Sequence, residues 1–202
     1  MPENIRRVEA TDVSDLAEAM AELGVTVAGI SGLPANRLIA AAVVSRPEVN
    51  GLVCECRGEI AGFLVCISNW KQFWLKFLAR HPVFLFKVVA NRLFKANLKR
   101  RSPAPSTEGA SQDGGNKIYW EDSSLAISKT LYVGVRETYR GLGLGKLLYQ
   151  RMFEELHKQG ISRLDARIAG DNEGSQKLHA SVGFKVVKRG RDAIFLSRSI
   201  ED

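Results

Sequence analysis

The chain has 202 residues with 45% apolar content, which suits one globular domain with a substantial core. It has no uncharged apolar run of about 18 residues, so we predict no transmembrane helix, and its first residues lack the pattern of a secretory signal. Three cysteines without C-x-x-C spacing argue against a disulfide framework and against a zinc site. We expect a cytoplasmic protein in which Cys54, Cys56 and Cys66 are reduced and buried.

One segment carries the basic character of the chain. The net charge is +7, and the stretch 69–101 holds nine basic residues and no acidic one, which leaves −2 for the remainder. These basic residues are Lys71, Lys76, Arg80, Lys87, Arg92, Lys95, Lys99, Arg100 and Arg101. The basic character therefore belongs to this one segment and not to the rest of the chain.

Apolar periodicity and the placement of glycine and proline predict alternating strands and helices. The first half is predicted to hold a strand over 5–8, a helix from Asp12 or Ser14 to Leu23, a loop over 24–32, a helix over 34–45, and a hairpin of 51–56 and 60–67. The second half is predicted to hold a strand over 125–135, a helix over 143–158, a strand over 163–168, a helix over 172–182, and a hairpin of 184–187 and 193–197. Strand, helix, strand in succession indicates a parallel pair with a right-handed crossover.

An insertion separates these halves. Apolar side chains at helical spacing predict a helix from Trp70 to the break at His81-Pro82, and a second helix over 83–98. The stretch 102–116 is rich in Ser, Pro and Gly and predicts a flexible linker. We expect a single domain over 1–202 with this helical insertion at 69–101.

The stretch from Tyr139 to Lys146, YRGLGLGK, indicates a phosphate-binding loop between a strand and a helix. Alternate glycines let the backbone approach a ligand closely, and the helix N-terminus adds unpaired N–H groups and a positive dipole end. A Rossmann loop would need glycine where Lys146 stands. A Walker loop would need glycine at Arg140 and Ser or Thr at Leu147.

This loop and a second block resemble the GNAT superfamily of N-acetyltransferases. The family signature [Q/R]-x-x-G-x-[G/A] falls on Arg140, Gly143 and Gly145, and the second block is NEGSQKLHASVGF over 172–184. The resemblance covers 125–199 strongly and 5–67 more weakly, and it is absent from 69–116. It implies an α/β fold with a mixed, mostly antiparallel sheet and a splayed parallel strand pair that admits acetyl-coenzyme A.

The resemblance also implies which residues hold acetyl-coenzyme A. Backbone groups of the strand end should pair with the pantetheine arm, loop amides should hold the diphosphate, and the second block should lie beside them. The implied coenzyme-binding residues are Val133, Gly134, Val135, Arg140, Gly141, Leu142, Gly143, Leu144, Gly145, Lys146, Asn172 and Ser175.

Two positions depart from the family pattern. The acid that protonates the leaving thiolate is usually Tyr, and His179 stands there. His179 can supply that proton, contact the coenzyme only, or be structural. No carboxylate base is predicted on the strand 125–135. Glu121 and Asp122, just before it, can act through water or be simply solvated.

The resemblance implies acetyl transfer to a primary amine by direct attack in a ternary complex. We favour a small-molecule acceptor such as an amino sugar. Acetylation of a protein N-terminus or lysine is the enzymatic alternative, and a non-catalytic acyl-coenzyme A or membrane adaptor is the alternative from another class. The resemblance also makes a homodimer an expected state, and no metal is predicted.

The insertion admits three interpretations. It can dock on an anionic membrane, which would place the protein at the inner membrane surface. It can bind phosphate groups of a nucleotide sugar or, less favoured, of nucleic acid. It can also be a helical hairpin packed on the body or on a partner subunit, with its cations solvated, and this last interpretation is favoured.

Overall fold

The computed structural model describes residues 4–27, 30–90 and 127–200. The elements in chain order are β1 (Asn4–Arg7), a 3-10 turn (Ala10–Asp12), α1 (Val13–Glu22), β2 (Thr26–Val27), β3 (Ile30–Ser31), α2 (Leu33–Ser45), β4 (Val49–Cys56), β5 (Glu59–Ile67), α3 (Trp70–Arg80), α4 (82–90), β6 (Ile127–Val135), a 3-10 turn (Glu137–Tyr139), α5 (Leu144–Lys158), β7 (Arg163–Ala169), α6 (Glu173–Ser181), β8 (Lys185–Arg189) and β9 (Ala193–Ser199). The predicted linker, the end of the second insertion helix, and Glu121 and Asp122 lie outside the described residues.

One large sheet organises the molecule. Its strand order is β1-β4-β5-β6-β7-β9-β8, and β2 and β3 form a separate two-stranded pair. All neighbours in the large sheet are antiparallel except β6 and β7, which are parallel. The predicted mixed, mostly antiparallel sheet with one parallel pair is therefore confirmed.

Helices cover both faces of the sheet and create two apolar cores. On one face, which we call the α1 face, α1 and α2 bury side chains such as Met20 and Ile39. On the opposite α5 face, α5 buries Leu148 and Met152 against the other side of the same strands. The apolar residues of α1 and α5 recur every three or four positions, which is why each helix turns one stripe toward the sheet.

Two short features differ from the sequence prediction. The predicted loop over 24–32 contains the β2–β3 pair, whose strands of two residues each are too short to give a periodic signal. Arg57 and Gly58 both have left-handed φ angles, +55° and +75°, and form a two-residue hairpin turn. β5 therefore begins at Glu59, one residue earlier than predicted.

The insertion begins with the two predicted helices. Asn69 caps α3, since its side-chain oxygen accepts the N–H of Gln72 at 3.1 Å. α4 starts at Pro82, a residue suited to a first helical turn. Phe73 and Phe77 are fully buried in the core that α1 and α2 form. In the part of the chain that is described, no helix is long and apolar enough to cross a membrane.

Candidate functional site

A gap opens in the sheet between β6 and β7. The two strands pair only from Ile127 to Lys129, opposite Arg163 to Asp165, although β6 continues to Val135. On its other edge β6 stays paired with β5 to its end, and the N–H of Arg136 still bonds to β5. Because alternate residues of a strand direct their backbone groups to opposite edges, those of Val133 and Val135 face the gap.

The apex of the gap, where β6 and β7 part, coincides with a β-bulge. The register of β5 on β6 shifts between Val65 and Cys66, so that Leu131 is the extra residue. A bulge re-aims the side chains beside it. Lys129 contacts Trp70 on the α1 face, with Nζ 5.7 Å from the ring centre, whereas Thr130 contacts α5 on the other face. The apex therefore has different polar groups on its two sides.

The glycine loop opens into this gap. Gly141 and Gly143 have φ angles of +80° and +76°, a left-handed conformation that other residues adopt with strain. A Cβ atom at either position would meet nothing within 4 Å, so the backbone there is uncovered. The N–H of Leu147 makes the first helical bond, to Gly143. The N–H groups of residues 144–146 therefore have no acceptor within α5.

Gly145 has a further reason to be glycine. A Cβ atom on it would lie 3.0 Å from both terminal methyl groups of Leu178, which belongs to α6. The absence of a side chain at this position lets α5 and α6 pack closely. The sequence analysis attributed all three glycines to ligand approach, and helix packing is an additional reason for glycine at position 145.

The N-terminus of α6 faces the same space. Asn172 caps the helix, since its side-chain oxygen accepts the N–H of Ser175 at 2.9 Å. The helix ends of α5 and α6 therefore both direct positive dipole ends at one region. Such an arrangement suits an extended anion, because several unpaired N–H groups act together.

A cavity of about 850 Å³ joins these features. It is lined by most of the predicted coenzyme-binding residues, namely Val133, Gly134, Val135, Arg140, Gly141, Gly143, Leu144, Gly145, Lys146, Asn172 and Ser175. Leu142, which is 55% exposed, is not part of the lining. His179, which is 1% exposed, is not part of it either.

His179 lies behind the cavity in a closed hydrogen-bond network. Its Nδ1 atom is 2.7 Å from the carbonyl oxygen of Ser175, and its Nε2 atom is 2.8 Å from the hydroxyl of Tyr149. A carbonyl only accepts, so Nδ1 carries the proton and Nε2 accepts the Tyr149 hydroxyl proton. Burial lowers the pKa of His179, with a smaller opposing effect from Ser175. The ring is therefore neutral at pH 7 and both nitrogen atoms have partners.

The comparisons with known proteins agree with this geometry. Residues 111–184 match the Acetyltransferase (GNAT) family, a stretch that contains β6, the glycine loop, α5, β7 and α6. Over this stretch the chain is similar to the GNAT acetyltransferases. This confirms the resemblance inferred from the loop and the second block.

One curated relative matches part of this chain. Phosphinothricin N-acetyltransferase of Streptomyces coelicolor is 42% identical over 69 residues, which cover 34% of this chain and 39% of that protein. The match thus spans about two fifths of the relative's length. Solved structures extend the likeness in fold to the whole chain.

Several of these structures contain the coenzyme, and two are given as examples. NAA60 of Arabidopsis thaliana in complex with acetyl-CoA is 13% identical with a TM-score of 0.61, covering 98% of this chain and 99% of that one. PaiA N-acetyltransferase of Thermoplasma acidophilum in complex with coenzyme A is 14% identical with a TM-score of 0.59, covering 97% and 98%. At these identities the likeness shows the fold.

The sequence analysis did not identify three polar residues at the apex as candidate site residues, namely Lys129, Tyr149 and Asp165. On the α5 face, the Tyr149 hydroxyl lies 3.4 Å from Thr130 Oγ1 and links the apex to His179. On the α1 face, Asp165 lies opposite Lys129 in the parallel register. In the sequence, Tyr149 occupies an apolar position of a predicted helix, and Asp165 is one polar residue of an alternating strand. Neither position differs from an ordinary structural one, so the sequence did not mark either as a site residue.

The α1 face of the apex carries a charged cluster. Asp165 Oδ1 is 3.1 Å from Arg163 Nε and accepts the Ser197 hydroxyl at 2.8 Å. Burial lowers the pKa of Lys129 to about 8, and the Asp165 charge opposes that shift. The Lys129 amine therefore has a substantial neutral fraction slightly above pH 7, which ordinary lysines lack.

Proposed function

We propose that this protein is an acetyl-CoA-dependent N-acetyltransferase for the primary amine of a small molecule. The observation that supports this most is the convergence of two helix N-termini and the uncovered Gly141–Gly143 backbone on one cavity at the sheet gap. The diphosphate would bind the loop amides, and the pantetheine arm would pair with Val133 and Val135. The thioester would then reach the apex.

The small-molecule preference is supported by the partial relative, whose name gives phosphinothricin as its acceptor. An amino sugar is the second small-molecule candidate. Proteins and peptides are a separate acceptor class, and they belong in the same assay because the match to this relative spans only 34% of the chain. A homodimer stays an expectation of the family resemblance.

The proposed reaction is direct transfer in a ternary complex. The neutral amine attacks the acetyl carbonyl carbon, a C–N bond forms, and the C–S bond to coenzyme A breaks. One proton leaves the amine nitrogen and one proton reaches the departing thiolate. Holding both substrates at the apex supplies much of the rate acceleration, because the attack becomes effectively intramolecular.

We propose Lys129 as the group that takes the amine proton. It lies at the apex on the face opposite α5, and its pKa of about 8 gives a neutral base near neutral pH. The composition of β6 supports this role. As described from Ile127 to Val135, the strand carries no carboxylate that could take the proton instead. Asp165 and Arg163 would orient the acceptor beside it.

The role of His179 on the leaving-group side stays a proposal with two forms. As the acid, its ring would have to leave Tyr149 and turn an N–H group toward the thiolate. In the arrangement seen, it instead fixes the Tyr149 hydroxyl beside Thr130 at the apex. We favour this positioning form, because the one proton of the neutral ring is on Nδ1 and is donated to the Ser175 carbonyl, while Nε2 carries no proton.

A non-catalytic acyl-coenzyme A binder is the second candidate function. The enclosed, fully partnered His179 favours it, because such a protein needs no acid. The experiment that separates the two is titration calorimetry with acetyl-CoA, followed by free-thiol release with phosphinothricin, amino sugars and peptides. Binding with thiol release on one amine class supports the enzyme. Binding without release on any of them supports the binder, and absence of binding contradicts both.

A further inference from the structure

The outer face of α4 is apolar. Phe84 and Val88 are buried against the body, yet the opposite side of the helix exposes Val83 by 69% and Phe86 by 73%. Leu85 and Val89 are also exposed. An ordinary surface helix turns polar residues outward. An outer face this apolar indicates a partner.

α3 also exposes an apolar side chain on the side turned away from its buried residues. Leu75 is 75% exposed, although Phe73 and Phe77 on the other side of the helix are fully buried. The exposed apolar residues of the two helices, Leu75, Val83, Leu85, Phe86 and Val89, define what we call the hairpin face. The same two helices carry four cations, Lys71, Lys76, Arg80 and Lys87, and the stretch 70–90 contains no acidic residue.

We propose that the hairpin face docks on a membrane containing anionic phospholipid. Aromatic and aliphatic side chains enter the boundary between headgroups and acyl chains, while surrounding Lys and Arg side chains bind anionic headgroups. Each such cation contributes about 1 kcal/mol near an anionic surface. The hairpin face offers both kinds of side chain on the same two helices.

Charge and apolar exposure together favour lipid over the other partners. Nucleic acid would use the cations but would leave Phe86 and Val83 in water. A second copy that met this face symmetrically would bring two basic surfaces together, which like-charge repulsion disfavours. An anionic bilayer satisfies the charges and the apolar side chains at once.

A groove beside α4 adds a place for a headgroup. It encloses about 370 Å³ between α2 and the hairpin. Its apolar wall includes Pro34 and Leu38, and Arg80 and Lys87 lie on the opposite wall. The phosphate of a phospholipid would be held between these two cations by charge, while the acyl chains of the same lipid would contact the apolar wall.

The hairpin is fixed to the catalytic body. Phe77 stacks on Phe73 with ring centres 5.4 Å apart and meets Phe84 edge-on at 5.6 Å, which joins the two helices. The same side chains lie in the core that α1 and α2 form. Docking would therefore set the orientation of the whole domain on the membrane.

The test is flotation of the full chain with phosphatidylcholine vesicles, with and without phosphatidylglycerol. We expect binding only when phosphatidylglycerol is present, and weaker binding as salt rises. Phe86→Asp should lower partitioning at least tenfold. Lys87→Ala should lower it on the order of fivefold, as loss of one surface cation predicts.

Val186→Asp is the matched control. Val186 is 48% exposed on β8, outside the hairpin face, so the same change there should leave flotation unchanged. Coenzyme binding by calorimetry should be unaltered in all three variants, which shows that they are folded.

Four outcomes would overturn the proposal. These are no binding to either vesicle, equal binding to neutral vesicles, unchanged flotation of Phe86→Asp, and a dimer by light scattering that Phe86→Asp dissociates. Tight binding of duplex DNA that prevents flotation would assign the surface to nucleic acid instead. None of these outcomes depends on acetyl transfer, so the test is independent of the proposed function.

Discussion

The two sides of the sheet apex are built in different ways. On the α5 face, the cavity is made largely of backbone: an uncovered glycine loop, two helix N-termini and the free edge of β6. On the α1 face, the surroundings of Lys129 are side chains from α3, β7 and β9, which are distant in sequence. The proposed coenzyme side is therefore set by local sequence, and the proposed acceptor side by tertiary packing.

The largest predicted effect tests the backbone side. Gly143→Asp should weaken acetyl-CoA binding at least about a thousandfold, on the order of 4 kcal/mol. The left-handed φ of +76° would strain the new residue, and its carboxylate would stand against the diphosphate. Titration calorimetry measures the affinity.

Gly160→Asp is the control for backbone strain. Gly160 follows the other end of the same helix, has a φ of +70°, and likewise has nothing within 4 Å of an added Cβ. Its thermal stability should fall as much as that of Gly143→Asp, while its coenzyme affinity stays within about twofold of the parent. Equal acetyl-CoA affinities of the two variants would contradict the proposal that the glycine loop binds the diphosphate.

The acceptor side is tested at Lys129. Lys129→Met should lower kcat about a hundredfold while leaving the acetyl-CoA affinity unchanged, as loss of a general base predicts. The active form is the neutral amine, so the parent's kcat/KM should rise with pH through about 8 and then level. This inflection should disappear in Lys129→Met. Lys129→Arg, which stays charged, should not restore activity.

A rise through pH 8 that survives in Lys129→Met would contradict the base assignment, because it would then belong to the acceptor amine itself. The thermal stability of both variants is needed as well, since Lys129 is buried beside Asp165. A folded variant with unchanged kcat would leave proton removal to water.

The next effect concerns His179, on the leaving-group side. His179→Phe should lower kcat about tenfold with coenzyme affinity unchanged, because the Tyr149 hydroxyl loses the partner that orients it. If His179 positions Tyr149 while neutral, activity should persist at pH 8. If a protonated His179 were the acid, activity would fall as pH rises past its lowered pKa, which lies below the ordinary value of about 6.5.

The same lowered pKa predicts a stability change on acidification. The unfolded chain binds a proton at His179 more readily than the folded one, so stability is full above about pH 6.5 and decreases as pH falls through the folded pKa. Urea unfolding at pH 8 and pH 5 should show a smaller loss for His179→Phe than for the parent. An equal loss in both would remove His179 from the acid-sensitive groups.

The coenzyme side was predictable because its information is local. Gly141, Gly143 and the following helix form a contiguous pattern that few other loops share, and most of the residues predicted from it line the cavity. His179 was placed in the right helix, but its partner Tyr149 comes from another one. Lys129 and Asp165 meet only because β6 and β7 are parallel at this register. A periodic pattern within one strand does not show which residue of another strand lies beside it.

The smallest predicted effect tests whether backbone groups, and not the Arg140 side chain, account for most of the diphosphate binding. Arg140 is 60% exposed and only 3.7 Å from Glu137, which is itself 89% exposed, so water and a neighbouring carboxylate already screen its charge. Arg140→Ala should therefore weaken acetyl-CoA binding only about threefold to fivefold. Glu137→Ala, which frees the same guanidinium, should change affinity by less than about twofold in the other direction. Calorimetry at two salt concentrations measures both, and the loss in Arg140→Ala should shrink as salt rises. A loss as large as that in Gly143→Asp would mean that a side chain holds the diphosphate, and the coenzyme side would then resemble the acceptor side in its construction.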